Sequence, residues 1–336
     1  MPPVHAPAAG LPAAPAAQRD GAIARTANYF VYAGLRGLWA VLGSVSPAAA
    51  RGALQNVADL FARFDRRHVE VVRENLSIAF PEMDEASVEH LARVAFRNWG
   101  RIAAEIIHGR DLVAATPAAP WQRVAERAEQ ARAAGKGLLV LSAHTANFEL
   151  LARTWGVRIG PVAVFHRSIH NDPIDRFVIA DRRAMNVTSI GRGASVREAL
   201  RLIKTGTCVA VALDQNQRPG HGIFVDMFGR PACTSTMLAR LSLATGAPVL
   251  PVFGAWHGEH TIPVSGRPIW PPSPAPAPAD RPKVVRELTQ RYTRLIETFV
   301  RRHPEQWNWA HRRWKTQPEP SGDDASLQAD IEALTE

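Results

Sequence analysis

The chain has 336 residues, 46% of them hydrophobic and 21% charged, enough for one large domain or two small ones with a real core. A net charge of +9 points to acidic partners: nucleic acid, an anionic membrane or an acidic carrier protein. Cys208 and Cys233 form no CxxC pair, which argues against disulfide scaffolds and zinc ribbons and predicts buried, inert thiols.

In chain order, residues 1–20 are rich in Ala and Pro and read as a disordered leader. They lack the basic region and following apolar run of a signal peptide. Residues 27–45, ANYFVYAGLRGLWAVLGSV, are strongly apolar and aromatic, but Arg36 interrupts them and they are short for a span. They suit either a marginal transmembrane anchor or an interfacial helix with Arg25, Arg36 and Arg51 snorkelling, with an ordinary buried helix as the alternative. Membrane attachment is the reading adopted, and residues 27–110 are taken as this helix plus a helical region. Within it, VADLFARFDRRHVEVVRENL and SVEHLARVAFRNWGRIAAEII have helical periodicity, with Pro81 between them and Ser87 as an N-cap.

Residues 111–315 are assigned to an α/β domain. Short apolar strands at 137–143, 162–165, 208–213 and 249–255 alternate with helical stretches such as Ser195–Lys204 and 234–244. That alternation predicts a mainly parallel central sheet flanked by helices. PPSPAPAPADRP at 271–282 is a low-complexity loop, a charged amphipathic helix follows at 283–302, and residues 316–336 read as a disordered tail.

Ligand sites in open α/β sheets gather outside the carboxyl ends of the strands. Here those ends deliver His144, then His166 and Arg167, then Asp214, Gln215, Asn216 and Gln217. His144 and Glu149 could together make a hydroxyl nucleophilic. A neutral imidazole takes the proton, and a carboxylate fixes its tautomer and stabilises the imidazolium. Five residues of helix rotate by roughly 500°, so this requires His144 in a strand-to-helix turn and Glu149 about one turn inside the helix. A purely structural histidine is the competing reading. Arg167 suits an anionic group such as a phosphate. Asp214 could shape the pocket, contact a sugar hydroxyl or pair with Arg167. RPGHG (218–222) and MFGR (227–230), which includes Arg230, could line an acceptor or acyl groove.

PEQWNWAHRRWK (304–315) interleaves three tryptophans with His311, Arg312, Arg313 and Lys315. The pattern suits a membrane–water interface or stacking on single-stranded nucleic acid, unless the tryptophans simply pack against the domain. There is no G-x-S-x-G and no P-loop, and His166 and His170 lack an evident third ligand. No metal and no cofactor are expected.

Taken together, these pieces resemble the bacterial lipid A biosynthesis acyltransferases (the lauroyl/myristoyl transferase family), distant relatives of glycerol-phosphate acyltransferases. The resemblance covers roughly residues 27–318. It is carried by RENLSIAFPE (73–82), HTANFE (144–149), FHR (165–167), LDQNQ (213–217), FVDMFGRPACTSTMLARLSLATGAPVLPVF (224–253) and PEQWNWAHRRWK (304–315). It implies an acyltransferase-type α/β fold attached to the cytoplasmic face of the inner membrane. The donor would be acyl carrier protein and the acceptor a lipid hydroxyl. It also implies a catalytic His144 and Glu149, with Arg167 and Asp214 at positions tied to substrate binding; Gln215 and Arg230 join them as substrate-binding candidates. The chain departs from many relatives at Gly254–Ala255–Trp256–His257, where an arginine is common, and at SIHNDP after Arg167.

Residues and resemblance agree on direct attack, in which His144 deprotonates the lipid hydroxyl, Glu149 orients His144, and donors stabilise the oxyanion. The alternatives are the same chemistry on a phosphatidylinositol mannoside or an ornithine lipid, a nucleic-acid-binding protein, or a membrane scaffold with a dead site. The reading adopted involves no nucleic acid.

Overall fold

The computed structural model describes residues 22–191 and 195–319, so the leader and the tail beyond 319 lie outside the described residues. Six helices come first: α1 Ala22–Gly43, α2 Pro47–Phe64, α3 Arg66–Ala79, α4 Glu85–Ile107, α5 Gly109–Ala115 and α6 Ala118–Arg132. Pro81 does separate α3 from α4, but the cap differs from expectation. Asp84 accepts the backbone N–H of Ser87, because a side-chain cap sits three residues before the amide it serves. α2 crosses α4 at Gly100, where a Cβ would lie 2.4 Å from the Leu54 carbonyl oxygen. Only glycine permits that approach.

The α/β part runs β1 Leu139–Ser142, α7 Phe148–Arg158, β2 Val162–His166, α8 Asp172–Arg183, β3 Val187–Gly191, α9 Ser195–Lys204 and β4 Cys208–Ala212. A hairpin follows, β5 Ile223–Met227 with β6 Arg230–Thr234, and then α10 Met237–Thr245, β7 Val249–His257, β8 His260–Ser265 and α11 Arg281–Arg302. The six-stranded sheet has the order β3-β2-β4-β1-β7-β8. Its first five strands are parallel and β8 pairs antiparallel at the edge. The mainly parallel sheet is therefore as expected.

Successive side chains of β1 serve opposite cores, as the strand period requires. Leu139 and Leu141 join a core built with α3, α4, α9, α10 and α11. Val140 joins a smaller one with Trp121 and Val124 of α6 and Trp155 of α7. Both faces are covered, which is why these strands are apolar without alternation.

The N-terminal helices are not fully covered. Tyr29, Phe30 and Val41 of α1, with Leu60, Phe61 and Phe64 of α2, are each more than half exposed. No helix among the described residues is long and apolar enough to cross a membrane. Both cysteines are free and buried, and burial pushes the Cys208 thiol up to about 12, so it is inert as a thiolate.

Candidate active site

β1 and β4 are parallel neighbours in the register Ser142↔Ala212. Two residues beyond each paired position stand His144 and Asp214, so the register alone brings them side by side. The Asp214 carboxylate takes the His144 ring at Nδ1 (2.9 Å) and the His144 backbone N–H (2.9 Å). Trp307 Nε1 donates a third bond to the same carboxylate at 2.8 Å. Three donors hold the buried Asp214 as an anion well below the usual carboxylate range; they outweigh burial, which acts in the opposite direction. Burial lowers the His144 pKa, but the charge and hydrogen bond of Asp214 outweigh it, and the net direction is upward.

This corrects the expected pairing. His144 does lie in the strand-to-helix turn, but Glu149 does not touch it. Asn147 caps α7 by accepting the Leu150 N–H at 2.9 Å, which makes Glu149 only the second residue of the helix. From there its carboxylate meets Arg182 of α8 through two bonds, 2.8 and 2.6 Å, and Arg153 at 3.4 Å. Arg182 also donates to His166 Nδ1 at 3.0 Å, and His166 Nε2 faces Asp175 at 2.8 Å. His166 is thus a link in an ion-pair chain, and no group among the described residues has the makings of a metal site.

The loop carrying His144 is clamped. Ala146 adopts a left-handed φ of 44°, a cost of order 1–3 kcal/mol for a residue with a Cβ that surrounding contacts must offset. The segment after α11 supplies those contacts: the Gln306 carbonyl accepts the Ala146 N–H at 2.7 Å, and the His144 carbonyl accepts the Asn308 N–H at 3.0 Å. Beneath the loop, the buried Glu105 of α4 accepts from Asn147 Nδ2 (3.0 Å), Arg101 Nε (2.7 Å) and Trp256 Nε1 (3.1 Å).

A cavity of about 760 Å³ opens at these strand ends. His144, Glu149, His166, Arg167, Arg182, Gln215 and His311 form its polar part. Val140, Ala152, Trp155, Val162 and Ala210 continue it as an apolar recess between the sheet and α7. Its size and lining suit a ligand with one polar end and a long apolar portion. With Nδ1 engaged by Asp214, His144 keeps Nε2 for the cavity, where the Gln215 amide approaches it at 3.4 Å. Phe148 packs edge-on against the ring, centroids 4.7 Å apart, and fixes its plane.

Of the residues singled out in the sequence, His144, Glu149, Arg167 and Gln215 line this cavity and Asp214 stands directly behind it. Arg230 does not; it is exposed at the start of β6, opposite Met227 in the hairpin. The sequence reading missed Arg182, Glu105 and the local role of His311. The tryptophan-rich segment is also corrected. Trp307, Trp309, Trp314 and Arg313 are buried, and Arg313 donates to the Cys233 carbonyl at 3.0 Å and to Thr234 Oγ1. Burial without a directly bonded carboxylate pulls the Arg313 pKa down to about 10. These rings pack into the core, since the segment's task is to hold the His144 loop and Asp214, so they are not offered to lipid headgroups or to bases.

The sequence profile of the family described as "Bacterial lipid A biosynthesis acyltransferase" matches residues 17–316. The chain is 27% identical to a lipid A biosynthesis lauroyltransferase of Escherichia coli K12, over 87% of this chain and 93% of that protein. It is 25% identical to a lipid A biosynthesis myristoyltransferase of the same organism, over 72% of this chain and 73% of that one. It is 25% identical to a palmitoleoyltransferase, also of Escherichia coli K12, over 76% and 81%. With a profile that spans almost the whole chain and the cavity it encloses, this protein belongs to the bacterial lipid A biosynthesis acyltransferase family.

Proposed function

We propose that the chain transfers a fatty acyl group from acyl carrier protein to a hydroxyl of a lipid A precursor, with His144 as the general base. The observation that carries this reading is the pairing of a carboxylate-held imidazole with an apolar recess in one cavity. A thioester is already activated, so no covalent intermediate on the protein is needed. The acceptor hydroxyl displaces the Gln215 amide from Nε2 and gives up its proton there as its oxygen attacks the thioester carbonyl carbon. Asp214 keeps the proton of neutral His144 on Nδ1 and stabilises the imidazolium that forms. The tetrahedral intermediate collapses, the C–S bond breaks, and the thiolate takes the proton back from His144. The apolar recess takes the acyl chain, and Arg167, exposed at the cavity mouth, meets an anionic group of the acceptor.

The net charge of +9 complements an acidic carrier protein, whose docking should weaken as salt rises. Membrane attachment is proposed through the exposed apolar faces of α1 and α2, lying in the plane of the cytoplasmic leaflet of the inner membrane. Replacing Phe61 and Phe64 by Glu should cut co-flotation with anionic vesicles about tenfold or more while leaving the melting temperature unchanged, because both rings are exposed. Flotation equal to the unaltered protein would show that α2 does not face lipid.

The reaction itself is tested with acyl-loaded carrier protein and a lipid A precursor, reading the ester product by mass spectrometry. Product formed only with a phosphatidylinositol mannoside or an ornithine lipid would move the assignment to that acceptor. The nucleic-acid alternative loses its stacking platform, since Trp307, Trp309 and Trp314 are buried, and keeps only the basic charge, which an acidic carrier protein meets equally well.

A further inference from the structure

His311 stands in the turn beyond α11, and its ring lines the cavity that holds His144 and Gln215. Its backbone is pinned from the helical region: Asn75 Nδ2 donates to the His311 carbonyl at 2.8 Å and to the Trp309 carbonyl at 2.7 Å. Its ring is pinned from the other side, because Nε2 accepts the backbone N–H of Asn216 at 2.9 Å. A nitrogen that accepts an N–H carries no proton, so the ring is neutral and its proton is on Nδ1. Nδ1 has no protein partner among the described residues and is not sealed from solvent. The mechanism above leaves this donor unused. Other features position it for work: Asn216 is two residues from Asp214, so the bond that fixes the His311 tautomer springs from the strand end that holds His144.

We propose that His311 is a catalytic residue whose Nδ1–H donates to the carbonyl oxygen of the acyl thioester and stabilises the oxyanion that develops there. The proposal rests on the acyl-transfer reading. As the hydroxyl oxygen bonds to the carbonyl carbon, the C=O π electrons move onto oxygen and the hydroxyl proton passes to His144 Nε2. On collapse those electrons re-form C=O and the thiolate leaves with the proton from His144. His311 keeps its own proton throughout. Burial and the neighbouring His144 and Arg313 favour the neutral ring over the pull of Asp214. A neutral imidazole donates without adding a full positive charge beside the His144 imidazolium.

The side-chain amide of Asn reaches the place of Nδ1, and that of Gln reaches the place of Nε2. His311→Asn therefore keeps a donor toward the cavity and loses the anchor to Asn216, whereas His311→Gln keeps the anchor and loses the donor. With acyl-loaded carrier protein and a lipid A precursor, His311→Gln and His311→Ala should lose about 10²–10³ in kcat with KM little changed, as when one oxyanion donor is removed. His311→Asn should stay within roughly tenfold of the unaltered protein on the same scale. Activity in His311→Gln equal to or above that in His311→Asn would show that the ring merely anchors the 214–217 loop, and would overturn the proposal. So would undiminished transfer by His311→Ala. Nitrogen NMR of the intact, unaltered protein reads the tautomer without any substrate: an Nδ1–H ring is expected, and an Nε2–H ring sinks the assignment. No transfer by the unaltered protein to any lipid acceptor would remove the acyl-transfer reading and this role with it.

Discussion

Asp214→Asn is expected to lower kcat by about 10³–10⁴, the effect of misorienting a catalytic histidine and leaving its cation unsupported. Two consequences of the substitution oppose each other. In the unaltered protein the Asp214 charge holds the His144 pKa above the ordinary histidine value, against burial. The base works only when neutral, so kcat/KM should fall as pH drops through that raised pKa. Without the charge burial is uncompensated, the acid limb moves to lower pH, and more of His144 is neutral at pH 7. That gain acts only through the neutral fraction of His144, whereas the lost tautomer control and imidazolium stabilisation act on the chemical step itself, so the rate is expected to fall. An amide at 214 can also turn its NH₂ toward Nδ1, which moves the ring proton to Nε2 and blocks the base. A pH–rate profile of the two proteins checks both parts. An acid limb that does not move would show that Asp214 is not the partner of His144 in solution.

Glu149→Ala is expected to destabilise the fold by about 3–5 kcal/mol, because it leaves Arg182 without its carboxylate in a buried setting. Arg153 keeps Asp181 at 2.8 Å, so the damage centres on Arg182 and, through it, on His166 and the cavity wall beside Arg167. Glu149→Gln preserves the shape and should cost less. The pH dependence has a definite sign. Burial raises the Glu149 pKa, but the two guanidiniums outweigh it and the net shift is downward. A depressed folded pKa means that the stabilisation is present above the unfolded carboxylate pKa and is lost as pH falls through that value toward the folded one. Thermal melts of the unaltered protein and Glu149→Gln should therefore converge in acid and separate near neutrality. The kcat loss in Glu149→Gln should be much smaller than in Asp214→Asn. Equal losses would restore Glu149 as the orienting group.

The sheet was legible because parallel strands covered on both faces become plain apolar runs, and four of the five parallel strands announce themselves that way. The fifth, VTSIG, is half polar and makes no such run, since it lies at the sheet's edge beside β2. The β5–β6 hairpin hid because Asp226 interrupts the apolar residues of β5, and β6 opens on Arg230 and Pro231. His144 could be found from the strand that precedes it. Its partner could not, because spacing along the chain favours Glu149, five residues away, whereas hydrogen bonding follows strand adjacency. The signal was nonetheless present: Asp214 ends another strand at the same depth as His144, which in a parallel sheet makes them neighbours. Arg182 and His311 carry no such mark, one in an amphipathic helix and the other in a basic, aromatic run. The tryptophans of that run have the composition of a membrane interface, and only packing shows that all three lie in the core, with Trp307 bonded to Asp214.

The most direct test of the account is single-turnover acyl transfer from acyl carrier protein to a lipid A precursor by purified His144→Ala beside the unaltered protein, with equal melting temperatures as the control for folding. A loss of about 10²–10⁴ in the chemical step, with donor binding retained, is the predicted result. Equal rates for the two proteins would show that His144 does not take the proton, and would contradict the mechanism built on its pairing with Asp214.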